Sequence, residues 1–449
     1  MTTIIRGGTL VDDGSSRRAD IVVADGHIAD IQPEGIHPGT SFSEEIDASG
    51  CLVIPGVIDS HVHFREPGLT HKADIASESR AAAAGGVTTW FDMPNCVPQT
   101  TTLEALADKQ RRAALTSVVN YAFFFGATND NAALLGALDT TTVPGIKLFM
   151  GSSTGNMLVD RREAIETIFA QAAATRLPVV AHCEDTAIIN RNMEAAKQRW
   201  GDDPDVVHHA DIRSREACMA STQLAVRLAT AAGARLHVAH LSTADELKLI
   251  DGQNVTAELC AAYLVFDDTD YRRLGPLVKV NPAIKSRADR DALLRFLNAP
   301  DDGPGHMLTV ATDHAPHLLR EKQGGAARAV SGMPLVQFSL PLMLTMTDWG
   351  VLTRERVVQL MCNNPARYFG VRHRGFLRPS YHADIAIVRR QTWTLQAEHI
   401  LSRCGWSPLT GRSFGWTVER TICNGVTVYD HGRLTAVSAA QAVGFNPSR

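Results

Sequence analysis

The chain has 449 residues, enough to bury a large core and well beyond the roughly 250 residues of a single barrel domain, so a second module is expected. Its 44 Lys+Arg nearly balance 48 Asp+Glu, for a formal net charge of -4, and no basic run exceeds a few residues. That argues against a nucleic-acid surface and against an electrostatic membrane anchor, and leaves a small-molecule enzyme as the default.

The N-terminal stretch "TIIRGGTLVDDGSSRRADIVVADGHIADI" alternates short apolar runs with Asp-Gly pairs. It reads as hairpins, and neither as a signal peptide nor as a membrane span. The 8 cysteines are scattered without a CxxC pair, so neither a zinc ribbon nor a disulfide framework is expected, and a reducing cytoplasm fits. An echo of the first strands lies near the other end: "TIIRGGTLVDDG" (3–14) resembles "TICNGVTVYDHG" (421–432) in its alternation and its Asp-x-Gly or Asp-Gly turn. The pair predicts one small β module assembled from both termini, with the middle of the chain as an inserted domain.

From about 55 to 375 a short apolar run repeatedly precedes an alanine-rich helical stretch such as "ASESRAAAAGG" or "RREAIETIFAQAAATR". Eight runs are found, at 57–63, 87–93, 118–126, 145–151, 178–184, 235–242, 254–259 and 308–316. Eight strands alternating with helices predict an α/β fold, a (β/α)8 barrel of the TIM type. An open doubly wound sheet is the alternative, but no GxGxxG follows the first strand. The organisation expected is a barrel over 55–375 and a small β-sandwich module over 1–54 plus 376–449.

Chemistry in such barrels sits where the strands end, and these runs end in ligand-type residues. His61 and His63 close the first run, Lys147 lies in the fourth, His182 closes the fifth, His240 the sixth and Asp313 the eighth. Residues i and i+2 share a strand face, so His61 and His63 are placed to hold one ion. Each residue alone reads equally as a hydrogen-bonded polar group or a surface lysine. Their collection at one end of one barrel makes a metal site the better reading. An ammonium offers no lone pair, so Lys147 joins that site only after losing its proton. Captured carbon dioxide would turn it into a carbamate with two oxygens able to bridge two ions.

Together "GVIDSHVHFREPG", "DMPN", "GIKLFMGSSTG", "AHCE", "VAHLS" and "ATDHAPH" resemble the amidohydrolase superfamily, and within it the dihydroorotases of the longer bacterial type, over nearly the whole chain. The resemblance implies reversible ring opening of dihydroorotate to N-carbamoyl-aspartate, a step of pyrimidine synthesis, with two zinc ions per subunit as the cofactor. It implies that His61, His63 and Asp313 hold the more buried ion and His182 and His240 the more exposed one, with carboxylated Lys147 and a hydroxide between them. Asp313 would serve as acid and base as well as ligand.

The same resemblance puts Arg65 on the substrate carboxylate, which guanidinium grips through two parallel hydrogen bonds. Allantoinases usually have asparagine in its place, and hydantoinases lack the FREPG pattern. Asn95, Asn281 and His317 match the remaining substrate contacts, although Asn281 also reads as a turn residue before Pro282. Where many relatives have a His-His pair after the seventh strand, this chain has Ala261, Ala262 and Tyr263. The stretch at 317–338, with a Gly-Gly pair and a Gly-Met-Pro turn, is suited to line or cover the substrate near Gly332 to Leu335 and to order on ligand binding, and reads equally as a mobile surface loop. The tryptophans of "CGWSPLTGRSFGWTV" (404–418) read either as a seal of the β module or as a subunit contact. A homodimer in the cytoplasm is the group's common arrangement, while association with aspartate transcarbamoylase is not derivable from the residues. The other classes open are another cyclic amidase, allantoinase or hydantoinase/dihydropyrimidinase, and a non-catalytic relative kept for assembly.

Overall fold

The computed structural model describes residues 2–35, 41–151, 157–303 and 305–447. The "SSTG" of the motif "GIKLFMGSSTG", residues 152–155, lies outside them.

Eight parallel strands form the barrel: β1 Val57–Val62, β2 Val87–Asp92, β3 Asn120–Phe123, β4 Ile146–Phe149, β5 Val179–His182, β6 Leu236–Val238, β7 Val255–Cys260 and β8 Thr309–Ala311. All eight coincide with the apolar runs, because a strand with both faces covered must be apolar nearly throughout. β3 pairs with β2 up to Phe123 and then passes its pairing to β4 through Phe125–Gly126. The ring closes between β1 and β8, where Val62 bridges His314 and the amide of His63 donates to the His314 carbonyl at 2.8 Å. Helices cover the outside, among them Ile75–Ala84, Arg162–Thr175 and Arg215–Ala232. Asp74 and Ser214 cap the first and last of these, each accepting an amide hydrogen bond from the first turn. Only a short 3-10 segment, Glu246–Leu249, stands between β6 and β7.

Two further sheets lie beside the barrel. One has the order His27–Gln32, Asp20–Ala24, Thr2–Arg6, Glu44–Asp47. The other runs Arg433–Leu434, Val426–Asp430, Ser413–Cys423, Ile385–Thr394, Cys51–Pro55, Thr9–Asp12, Ser15–Arg18, so strands from both ends of the chain share it. Ile5, Ile21, Val53, Ile385 and Ile422 join the two sheets in one apolar cluster. The Asp-Gly and Asn-Gly pairs do the turning: Asp13–Gly14, Asp25–Gly26 and Asn424–Gly425 all have positive φ at both residues, the geometry of a two-residue hairpin loop matched to strand twist.

The last residues do not stay with these sheets. Ala442 pairs with Tyr121 of β3, Phe445 with Val371, and the Phe445 ring is fully buried near Phe91. Among the described residues no helix is long and apolar enough to cross a membrane.

Candidate metal centre

His61 and His63 project from the end of β1, His182 from β5 and His240 from just beyond β6. Their rings form a chain, with centroids 5.4 Å apart for His63 and His61, 5.3 Å for His61 and His240, and 4.8 Å for His240 and His182. Asp313, two residues past β8, has its Oδ1 2.9 Å from His63 Nε2 and 3.4 Å from His61 Nε2. The donor atoms of His61, His63 and Asp313 all lie within 4.8 Å of one another. His240, Asp313 and Arg65 each have positive φ (39°, 49° and 68°), a backbone state that bulky residues adopt only when their surroundings enforce it.

Three buried acceptors determine which imidazole nitrogens are free. His61 Nδ1–H donates to Glu258 Oε1 at 2.7 Å, His63 Nδ1–H to Asn95 Oδ1 at 2.6 Å, and His182 Nε2–H to Glu184 Oε2 at 2.9 Å. The opposite nitrogens are left with lone pairs that face Asp313 and His240. Burial in the first place, then the Lys147 ammonium, holds His61 well below the ordinary histidine pKa. Burial also lowers His182 and, followed by the neighbouring His182 charge, His240. Burial opposes ionisation of Asp313, but His61 and His63 outweigh it and hold its carboxyl far below the usual range.

Lys147 is fully buried, and among the described residues its Nζ has no hydrogen-bond partner. Its ammonium is disfavoured first by burial, and its Nζ lies 5.0 Å from the Phe149 ring centroid. A buried amine driven toward its neutral form is the state that reacts with carbon dioxide. These residues therefore fit a divalent cation. Neutral imidazole lone pairs converge on an ionised carboxylate, and His63 Nε2 meets Asp313 with Nδ1 already committed to Asn95. A cation between them resolves that meeting of two acceptors.

Arg65, Asn95, Asn281, Ser331 and Gly332 line one small pocket with His63, Asp313 and Ala315. Arg65 is 3% exposed, and burial pushes its guanidinium down to about 10. Its Nε donates to the Pro316 carbonyl at 3.1 Å and its Nη2 to His317 Nε2 at 3.0 Å, and among the described residues no carboxylate pairs with it. Asn281 faces the pocket with a buried Oδ1 that lacks a partner among the described residues. Asn95 reaches the pocket but commits its Oδ1 to His63, and His317 is fully buried beside Arg65, outside the pocket lining.

Several supporting residues escaped the sequence reading. Glu258 is an acidic residue inside an apolar strand, and Glu184, within the motif "AHCE", is ion-paired with Arg213 and held down to about 2 against burial by that arginine and His182. A lone carboxylate in a buried strand was the available signal for the first. Tyr263 is buried and donates to the Pro282 carbonyl at 2.8 Å, next to Asn281. Trp406 is buried and donates to the His317 carbonyl at 2.6 Å, so it packs on the barrel mouth. Trp416 reaches Asp348 at 3.1 Å. The stretch at 317–338 is pinned at many points: His314 Nδ1 accepts from the amides of Leu335 (3.0 Å) and Val336 (3.2 Å), and Asp203 from those of Gly325 and Arg328.

Barrel and site together define a (β/α)8 protein with a His-His-Asp group suited to a divalent cation at its C-terminal mouth. Residues 52–428 match the amidohydrolase family, and the chain belongs to that family. It is 36% identical to a dihydroorotase of Halobacterium salinarum over 429 residues, covering 93% of this chain and 97% of that one. It is 32% identical to an allantoinase of Solibacter usitatus over 451 residues, 98% of this chain and 96% of the relative. Among solved structures, an L-hydantoinase (dihydropyrimidinase) from Arthrobacter aurescens superposes with a TM-score of 0.91 at 29% identity, covering 98% of this chain and 99% of that one.

Proposed function

We propose that the chain is a dihydroorotase, opening the ring of (S)-dihydroorotate reversibly to N-carbamoyl-L-aspartate in pyrimidine synthesis. The observation that carries this reading is Arg65, a buried guanidinium on the pocket wall with no carboxylate partner among the described residues. An unpaired buried charge costs several kcal/mol, so the pocket favours an occupant that brings the missing anion. Dihydroorotate carries a ring carboxylate, whereas allantoin, hydantoin and dihydrouracil rings are uncharged and would leave Arg65 unpaired.

In this reading the carboxylate lies on Arg65, and Asn281 Oδ1 accepts a ring N–H, which sets the ring carbonyl before Asp313. His61, His63, Asp313, His182, His240 and Lys147, the last as a carbamate, would hold two divalent ions, with zinc the first choice. When bound, such ions supply Lewis acidity that polarises a carbonyl and lowers the pKa of water. Asp313, ionised in its buried site, takes the proton of the attacking water as the new carbon–oxygen bond forms. It returns that proton to the ring nitrogen as the carbon–nitrogen bond breaks. Glu258, Asn95 and Glu184 keep the imidazole lone pairs aimed inward throughout.

The test is turnover by zinc-supplemented protein of dihydroorotate beside allantoin, hydantoin and dihydrouracil, repeated with Arg65→Gln. Dihydroorotate alone should react, and the variant should lose about 10- to 100-fold in kcat/KM, as expected when a charge-assisted contact is removed. Turnover of a neutral ring unaffected by the substitution would move the chain to another cyclic amidase activity.

A further inference from the structure

Among the buried lysines outside the proposed metal site, Lys322 and Lys279 are joined to each other and have no carboxylate partner among the described residues. Lys322 is 3% exposed, and its Nζ donates to three backbone carbonyls: Lys279 at 3.0 Å, Val330 at 2.7 Å and Gly332 at 2.7 Å. Lys279 is 4% exposed, and its Nζ donates to the Ala329 carbonyl. The Gly332 amide closes the circuit, donating to the Lys279 carbonyl at 2.9 Å. Burial and the neighbouring Lys279 charge push the Lys322 ammonium down. Three carbonyls around one Nζ nevertheless match three N–H donors, whereas a neutral amine would aim its lone pair at one of them.

The segments joined in this way are two walls of the substrate pocket. Lys279 stands two residues before Asn281, and the gripped carbonyls flank Ser331, which lines the pocket with Gly332. The approach is close: a Cβ on Gly332 would lie 2.7 Å from the Ala315 carbonyl and 2.9 Å from His317 Cδ2. Arg65 repels the Lys322 charge, so this side of the pocket carries several cations. Of the nearby acids, Glu321 pairs with Lys72 at 3.0 Å, and Asp203 is occupied by the amides at 325–328.

We propose that Lys279 and Lys322 are positioning residues of the substrate pocket, a pair of ammonium groups that clamps Ala329–Gly332 against the Asn281 segment and keeps that wall matched to a ring bearing a carboxylate. This rests on the dihydroorotate reading. It assigns the lysines no contact with the reacting atoms, so their loss weakens binding of the anion and spares the chemical step.

The experiment uses the full-length, zinc-supplemented protein with Lys322→Met and Lys322→Arg, read by steady-state kinetics on dihydroorotate and by amide hydrogen exchange at 329–332 without substrate. Lys322→Met is expected to raise KM about tenfold with kcat within about threefold, and to speed exchange at these amides, with most of both effects recovered by Lys322→Arg. Unchanged KM and exchange, or a fall in kcat at constant KM, would overturn the proposal. Should Lys322→Met fail to fold, Lys279→Met is read by the same two measurements and the same criteria. If the unsubstituted protein opens no dihydroorotate, the functional reading falls while exchange alone judges the clamp: faster exchange in the variant upholds it, and equal exchange removes it.

Discussion

Lys147 is the residue whose surroundings most restrict its chemistry. An ammonium with no hydrogen-bond partner among the described residues is disfavoured by its burial, against the pull of Glu258 and Asp313, and conversion to a carbamate replaces it with an anion that a divalent ion can bind. Lys147→Ala should therefore lower both bound zinc and turnover, the latter by more than about 100-fold, and added acetate or propionate should restore part of each. Full metal content and full rate in the variant would remove the bridging role. At this scale the sequence was informative about ligand types, since histidines closing apolar runs can be counted directly. It was silent on tautomers, because the acceptor that frees each lone pair comes from elsewhere in the chain, as Glu258 does for His61 across 197 residues.

At the scale of elements, the stretch after β8 was read as lining or covering the substrate, and its Ser331 and Gly332 do line the pocket. In the structure a network of side chains holds it. Asp203 illustrates how: burial opposes ionisation of its carboxyl, but the amides of Gly325, Arg328 and Ala327 more than offset this and lower its pKa. A carboxylate depressed by folding adds stability above its unfolded value of about 3.8 and loses that contribution as pH falls through the folded value. Asp203→Ala should accordingly cost about 1–3 kcal/mol at pH 7, with variant and parent converging in acid below the lowered pKa. Denaturant unfolding at pH 7 and at pH 3 checks this, and an equal gap at both pH values would assign the loss to packing. The eight strands, by contrast, were legible because burial on both faces leaves an uninterrupted apolar run that no exposed element shares.

For the whole molecule, the C-terminal residues matter beyond the sheet in which their neighbours lie. After the strand at Arg433–Leu434 the chain crosses back to the barrel, where Val443 donates to the Tyr121 carbonyl at 3.0 Å and Phe445 to that of Thr141 at 2.9 Å. The Phe445 ring packs near Phe91 and has no exposed surface. Phe445→Ala should destabilise the protein by about 3–5 kcal/mol, measured by denaturant unfolding, while leaving the KM of the folded enzyme unchanged. A loss below about 1 kcal/mol would mean that the tail adds little to the barrel.

By itself the sequence determined the barrel, its eight strands, the sharing of a sheet by both ends, and the residue types gathered at the strand ends. These follow from local rules: side-chain alternation, Asp-Gly and Asn-Gly turns, and the need of a covered strand to be apolar. Only the tertiary structure decided that Asn95 serves His63, that His317 stands behind Arg65, that Trp406 seals the mouth, and that two lysines clamp the pocket wall. Each of those depends on which distant group lies within about 3 Å of a given atom, and hydrogen-bond geometry at that range is a property of the packed molecule.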